Sequence, residues 1–154
     1  MSDFTQTAVI GAGVIGASWT ALFLAAGKDV CVFDPSETAR ADVEDYVARA
    51  WPTLKEIGLA EAELAETGRR GSLTFAETPE EAVAGADFVQ ENVPERIKIK
   101  LYLYARIEPH LKPGCIVASS ASGLMVKEMQ AGCKDPSNFV LGHPFNPPHL
   151  IPLV

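Results

Sequence analysis

The chain is poor in cysteine, poor in basic charge and without a long apolar run. Its three cysteines, Cys31, Cys115 and Cys133, are odd in number and far apart. They match no metal-ligand spacing, so no metal site is expected, and a reduced cytoplasmic setting is the simplest reading. Cys31 and Cys115 lie in apolar strand-like runs and read as small core residues. Lysine and arginine number 13 against 20 aspartates and glutamates, a net charge of −7. That balance argues against nucleic acid as a partner and weakly against an anionic membrane surface. No stretch approaches the roughly 18 apolar residues of a membrane helix. The start, Met1-Ser2-Asp3-Phe4-Thr5, lacks the basic region and apolar core of a signal peptide. Repeats and low-complexity segments are absent too. What is present is ordinary for a soluble protein: 154 residues, 47% hydrophobic and 21% charged, enough for one domain with a sizeable core.

Short β-branched runs alternate with helical stretches, which predicts a parallel sheet covered by helices. Strands are predicted at residues 7–10, 30–33, 73–75, 87–90, 115–118 and 139–142. A helix follows the first strand, with Ile15, Trp19, Leu22, Phe23 and Ala26 on its buried face and Gly27 as its stop. From Ser36 to about Arg70 runs a helical excursion, too long for a simple crossover and broken by Pro52 and Gly58. Its Tyr46 and Trp51 read as packing residues. Further helices are predicted to start near Thr78-Pro79-Glu80-Glu81, to run from about Pro94 to Ile107, and to span residues 124–130. The predicted class is α/β, a Rossmann-type doubly wound, mainly parallel sheet with a helical excursion between strands two and three.

Gly11-Ala12-Gly13-Val14-Ile15-Gly16 lies between the first strand and its helix. In that context Gly11 permits the tight turn, Gly13 lets the backbone approach a pyrophosphate, and Gly16 lets helix and strand pack closely. Amides at the helix N-terminus then face the anion. Asp34 ends the next strand, where an acidic residue binds the adenine ribose hydroxyls and repels a 2′-phosphate. NAD is therefore favoured over NADP.

Two later strand ends carry polar residues. One is Ser119-Ser120-Ala121-Ser122-Gly123-Leu124. The other is Gly142-His143-Pro144-Phe145-Asn146-Pro147, where prolines stiffen a loop directly after a strand. In an open α/β sheet, ligands bind at such carboxyl edges. There His143 can take the proton of a secondary alcohol as hydride leaves for a nicotinamide, and Ser122 can hold the alcohol oxygen.

These motifs resemble the 3-hydroxyacyl-CoA dehydrogenase family, over essentially the whole chain. The resemblance implies an NAD-dependent oxidoreductase acting on an L-3-hydroxyacyl-CoA or a small 3-hydroxy acid. It implies His143 as general base, Ser122 as the serine on the substrate oxygen, and Asn146 near the nicotinamide and substrate. It places Glu95, Lys100 and Ser120 on the cofactor side, together with Gly11, Ala12, Gly13, Val14, Ile15, Gly16 and Asp34. The forms Ser-Gly-Leu and His-Pro-Phe-Asn-Pro-Pro are closer to the branch acting on carnitine and gulonate. The excursion, richer in acids than in bases, points the same way, because an anionic CoA prefers a basic surface. The family has a second, helical domain that completes the substrate pocket and the homodimer contact, and that domain is expected to be absent from residues 1–154. A glutamate that pairs with the catalytic histidine in the family falls just beyond Val154. The chain alone is thus expected to fold and bind NAD but to turn over poorly.

Plainer roles stay open. Asp34 could cap the following helix, Ser122 the helix near Leu124, and Asn146 could serve a turn. Glu95 could serve a helix dipole, Lys100 could be a solvated helix residue, and His143 a hydrogen-bonded loop histidine. His110 and His149 read as surface or loop residues. From another functional class, the chain could be a non-catalytic dinucleotide-binding sensor or scaffold, which would have no need of Ser122, His143 and Asn146 together. A short-chain dehydrogenase is disfavoured: Tyr102 and Tyr104 are followed four residues on by Arg106 and Glu108, where that chemistry requires lysine.

Overall fold

Both faces of the central sheet are apolar because helices cover both. A computed structural model describes residues 4–60 and 71–154. The strands are β1 (Gln6–Ile10), β2 (Asp29–Phe33), β3 (Leu73–Phe75), β4 (Phe88–Glu91), β5 (Ile116–Ser119) and β6 (Phe139–Leu141). All pair in parallel, in the order β3-β2-β1-β4-β5-β6. The helices are α1 (Val14–Ala25), α2 (Ala39–Glu56), α3 (Pro79–Val83), α4 (Ile97–Ile107) and α5 (Val126–Gln130). This is the doubly wound Rossmann-type order that the alternation of runs predicts. No helix among the described residues is long and apolar enough to cross a membrane.

Strand periodicity feeds two cores. Val9, Val30 and Val32 pack on one face with α1 and α2, while Ala8, Ile10 and Val89 pack on the other with α3 and α4. Cys115 is buried in the second core and Cys31 packs against it, half-buried. α1 is buried over most of its surface, and its small residues Gly16, Ala17 and Ala21 bring it close to the sheet. Ala26, expected on the buried face, lies past the helix end and is exposed. Gly27 stops α1 as predicted: φ is 72°, its amide reaches Leu24 O at 3.0 Å, and the Lys28 amide reaches Phe23 O at 2.9 Å.

Two predicted boundaries shift. Pro52 does not break α2, which runs through it. Val43, Val47, Ala50, Trp51 and Leu54 are buried along α2 beside α1, and that packing offsets the one lost backbone hydrogen bond. Gly58, with φ of 76°, ends the segment instead. The remainder of the predicted excursion, 61–70, lies outside the described residues. α4 begins at Ile97 rather than Pro94, because Arg96 is extended and the Arg96 amide turns back to Pro94 O at 2.6 Å.

At the carboxyl end of β4 lies a buried charge pair. Lys100 Nζ contacts Glu91 Oε1 at 2.7 Å and Oε2 at 2.8 Å, with the two side chains 1% and 0% exposed. Tyr104 Oη, Ser119 Oγ and the Val93 amide donate to the same carboxylate at 2.6, 2.7 and 2.8 Å. This corrects both readings of Lys100. It is neither solvated nor facing a cofactor, because its ammonium is committed inside the fold. Removing one partner of such a pair leaves a bare charge in a dry interior. Lys100→Met is therefore expected to cost about 3–5 kcal/mol in urea unfolding. A loss below about 1 kcal/mol would show that water reaches the pair.

Candidate active site and dinucleotide groove

The strand order reverses between β1 and β4, and the glycine turn sits at that crossing. Gly11 has φ of 90°, and a Cβ on it would come within 2.9 Å of the Asn92 backbone. A Cβ on Gly16 would lie 1.9 Å from Gly11 O, so this glycine is what lets α1 pack against the end of β1. A Cβ on Gly13 would meet nothing within 4 Å. Gly13 therefore faces open space at the start of α1, where no side chain caps the first-turn amides. Val14 and Ile15 follow it, Val14 exposed and Ile15 half-buried. An open backbone and free amides at a helix N-terminus fit a pyrophosphate.

Asp34 ends β2 beside this turn. Its Oδ2 accepts from the Ala12 amide at 2.7 Å and its Oδ1 from the Ser36 amide at 2.9 Å. Each oxygen keeps a lone pair for a ribose hydroxyl. The local turn role and the ribose role are therefore compatible in one carboxylate.

The β5 edge is built by two acceptors. Ser120 Oγ donates to Asn92 Oδ1 at 2.7 Å and accepts from Gln90 Nε2 at 2.8 Å. Its hydroxyl ties β5 to β4 rather than standing free in the groove. Glu95 accepts from the Ser122 hydroxyl at 2.8 Å, from the Ser122 amide at 3.0 Å, and from the Gly123 amide. Ser122 therefore does not cap a helix; α5 starts at Val126 without a side-chain cap. Glu95 likewise turns to this loop. The Gly123 amide, and after it the Ser122 hydroxyl, hold the Glu95 carboxyl below the usual carboxylate range.

His143 and Asn146 leave the neighbouring strand end. Ser119 pairs with Leu141, and the Gly142 amide continues the ladder to Ser119 O at 2.9 Å. Ser122 and His143 thus project from the same edge of adjacent strands, and Ser122, His143 and Asn146 are all exposed there. The imidazole of His143 makes no hydrogen bond to any described residue. Glycine turn, Asp34, Ser122 loop and His143 loop share one rim of the sheet.

The model of the 3-hydroxyacyl-CoA dehydrogenase NAD-binding domain matches residues 6–154. The chain belongs to this family. The L-carnitine dehydrogenase of Streptomyces coelicolor is 49% identical over 149 residues, covering 97% of this chain and 45% of that protein. The L-carnitine dehydrogenase of Pseudomonas putida is 44% identical over 154 residues, covering 100% of this chain and 46% of that protein. The chain spans less than half the length of these relatives. A solved NAD-dependent 5-formyl-3-hydroxy-2-methylpyridine 4-carboxylic acid 5-dehydrogenase superposes with TM-score 0.83 at 34% identity, over 96% of this chain and 46% of that one. The 3-hydroxybutyryl-CoA dehydrogenase of Escherichia coli K12 superposes with TM-score 0.80 at 26% identity, over 94% of this chain and 30% of that one. NAD is the family's dinucleotide, and the groove at Gly13 and Asp34 fits it.

Sequence reading missed the groups beneath the rim. Gln90, Glu91 and Asn92 form a polar run at the end of an apolar strand, and that run was the available signal. His149 was also underread: it is 8% exposed and held by Ser18.

Two outcomes follow from this geometry. Gly13→Ala is expected to keep the fold and its thermal midpoint, while calorimetry shows NAD affinity falling by about tenfold or more. Unchanged affinity would move the pyrophosphate elsewhere. A depressed carboxyl grips in its charged form, so Glu95 holds the Ser122 loop above the usual carboxylate range and releases it as pH falls through its lowered pKa. The Gly123 amide shift is expected to titrate with a midpoint below about 4.3. A midpoint at or above that value would remove Glu95 as the clamp.

Proposed function

We propose that this chain is the cofactor-binding half of a dehydrogenase that oxidises the 3-hydroxyl of a small 3-hydroxy acid of the L-carnitine kind, with His143 as general base. The observation that carries the reading is the shared rim: glycine turn, Ser122 and His143 on one sheet edge, in a chain 49% identical to an L-carnitine dehydrogenase. When bound, NAD supplies the hydride acceptor. His143 takes the hydroxyl proton of the alcohol as the ketone forms. Glu95 fixes the turn that presents Ser122 by accepting from its amide. The Ser122 hydroxyl, donated to Glu95 in the absence of substrate, turns to the substrate oxygen when substrate binds. Asn146, three residues past His143, orients substrate against the nicotinamide.

The substrate class has support from charge. In the described part of the excursion Glu37, Asp42, Glu44, Asp45 and Glu56 face only Arg40, Arg49 and Lys55 as bases. A surface of that sign suits a cationic small molecule better than an anionic CoA. The relatives' greater length leaves room for the second, helical domain that the family resemblance implies, with the completed pocket and homodimer contact expected of it.

The test joins this chain to the C-terminal portion of the Streptomyces coelicolor enzyme and follows NADH formation. L-carnitine is expected to be turned over ahead of L-gulonate and an L-3-hydroxyacyl-CoA. His143→Gln is expected to lower kcat by about 10²–10⁴-fold with NAD affinity retained. Unchanged turnover would remove His143 as the base, a preference for the acyl-CoA would overturn the substrate class, and NAD binding without any turnover would favour a sensor.

A further inference from the structure

Hydrogen bonds among the described residues fasten the loop that carries His143 and Asn146 to the rest of the protein at a single residue. Residues 143–154 contain Pro144, Pro147, Pro148 and Pro152, none of which can donate a backbone hydrogen bond. The amides of Phe145, Leu150, Ile151 and Leu153 bond within the segment. The Phe145 amide reaches Leu153 O at 3.1 Å, and the amides of Leu150 and Ile151 reach Pro147 O at 3.0 and 3.1 Å. Among the described residues, every hydrogen bond from 143–154 to the rest of the protein passes through His149.

His149 is 8% exposed. Its backbone amide donates to Ser18 Oγ at 3.0 Å, and its Nδ1 lies 2.8 Å from the same oxygen. A serine oxygen that already accepts from the backbone amide has its own proton free to donate. Tyr46 Oη stands 3.4 Å from the same Nδ1, and the two rings meet edge to face at 5.6 Å. In the tautomer with the ring proton on Nε2, Nδ1 accepts from these hydroxyls. Burial agrees, lowering the proton affinity of His149 and favouring the neutral ring. Ser18 is fully buried in the second turn of α1, two residues after Gly16. Tyr46 comes from α2.

We propose that His149 is a positioning residue that fastens the His143 loop to α1 through Ser18. The helix whose first turn receives the dinucleotide then also sets where the proton acceptor stands. Tyr46 seals the joint from the α2 side. That the fastening serves hydride chemistry rests on the dehydrogenase reading above; that it holds the loop does not.

Amide hydrogen exchange on this chain tests it. His149→Leu is expected to speed exchange at Phe145, Leu150, Ile151 and Leu153 by about tenfold or more, with β1 and β4 amides unchanged. His149→Asn puts a carbonyl oxygen near the Nδ1 position and is expected to restore protection to within about threefold of wild type. Ser18→Ala is expected to match His149→Leu, and it decides the matter should the leucine variant not fold. Wild-type protection in Ser18→Ala, loss spread equally over β1 and β4, or an asparagine variant no better than leucine would overturn the proposal. In the joined enzyme, His149→Leu is expected to lower kcat with NAD affinity unchanged; a fall in NAD affinity with kcat retained would overturn the link to catalysis. An inactive wild-type enzyme would count against the dehydrogenase reading, while the exchange result would still judge the fastening.

Discussion

A carboxylate sealed from water must have every lone pair answered, and the carboxyl edge of this sheet is assembled around one. Glu91 receives Lys100, Tyr104, Ser119 and the Val93 amide, which draws together the end of β4, the helix α4 and the end of β5. Desolvating such a pair is expensive, and its worth lies in the geometry it imposes once all partners are present. Burial and the Glu91 charge push the Tyr104 proton affinity upward, so the phenol stays a donor to the carboxylate. From this knot the rim is laid out. Asn92, the next residue, lies against the Gly11 turn and holds Ser120, and the chain leaves Ser119 toward Ser122.

The crossing of β1 and β4 turns that order into a groove. Three glycines divide the work there by what surrounds them. Gly11 adopts a positive φ beside Asn92, Gly16 removes a clash with Gly11 O, and Gly13 leaves its space open. Asp34 holds the turn through the Ala12 amide and stands at the ribose end of the same groove. On the proposed reading, cofactor and proton acceptor are then supported by one helix, α1, whose first turn faces the pyrophosphate and whose second turn holds Ser18.

Much of this was legible in the sequence because its signals are local. The alternation of β-branched runs and helices marked all six strands within a residue or two, and the glycine spacing with Asp34 marked the groove. What was not legible depends on packing. Pro52 looked like a break because the burial of Trp51 and Leu54 beside α1 is a tertiary fact. Lys100 read as a cofactor-side or solvated helix residue because its partner, Glu91, lies on a strand nine residues earlier and only the fold seals the two together. The plainer alternative for Ser122, a helix cap, failed because its hydroxyl goes to Glu95, 27 residues away. His149 looked like a loop histidine because Ser18 is 131 residues away.

Isothermal titration of this chain with NAD and NADP bears most directly on the groove that everything else serves. NAD is expected to bind, and the added 2′-phosphate of NADP, brought against Asp34, is expected to weaken binding by about tenfold or more. Failure of NAD to bind, or equal affinity for the two dinucleotides, would contradict the placement of the cofactor between the glycine turn and Asp34.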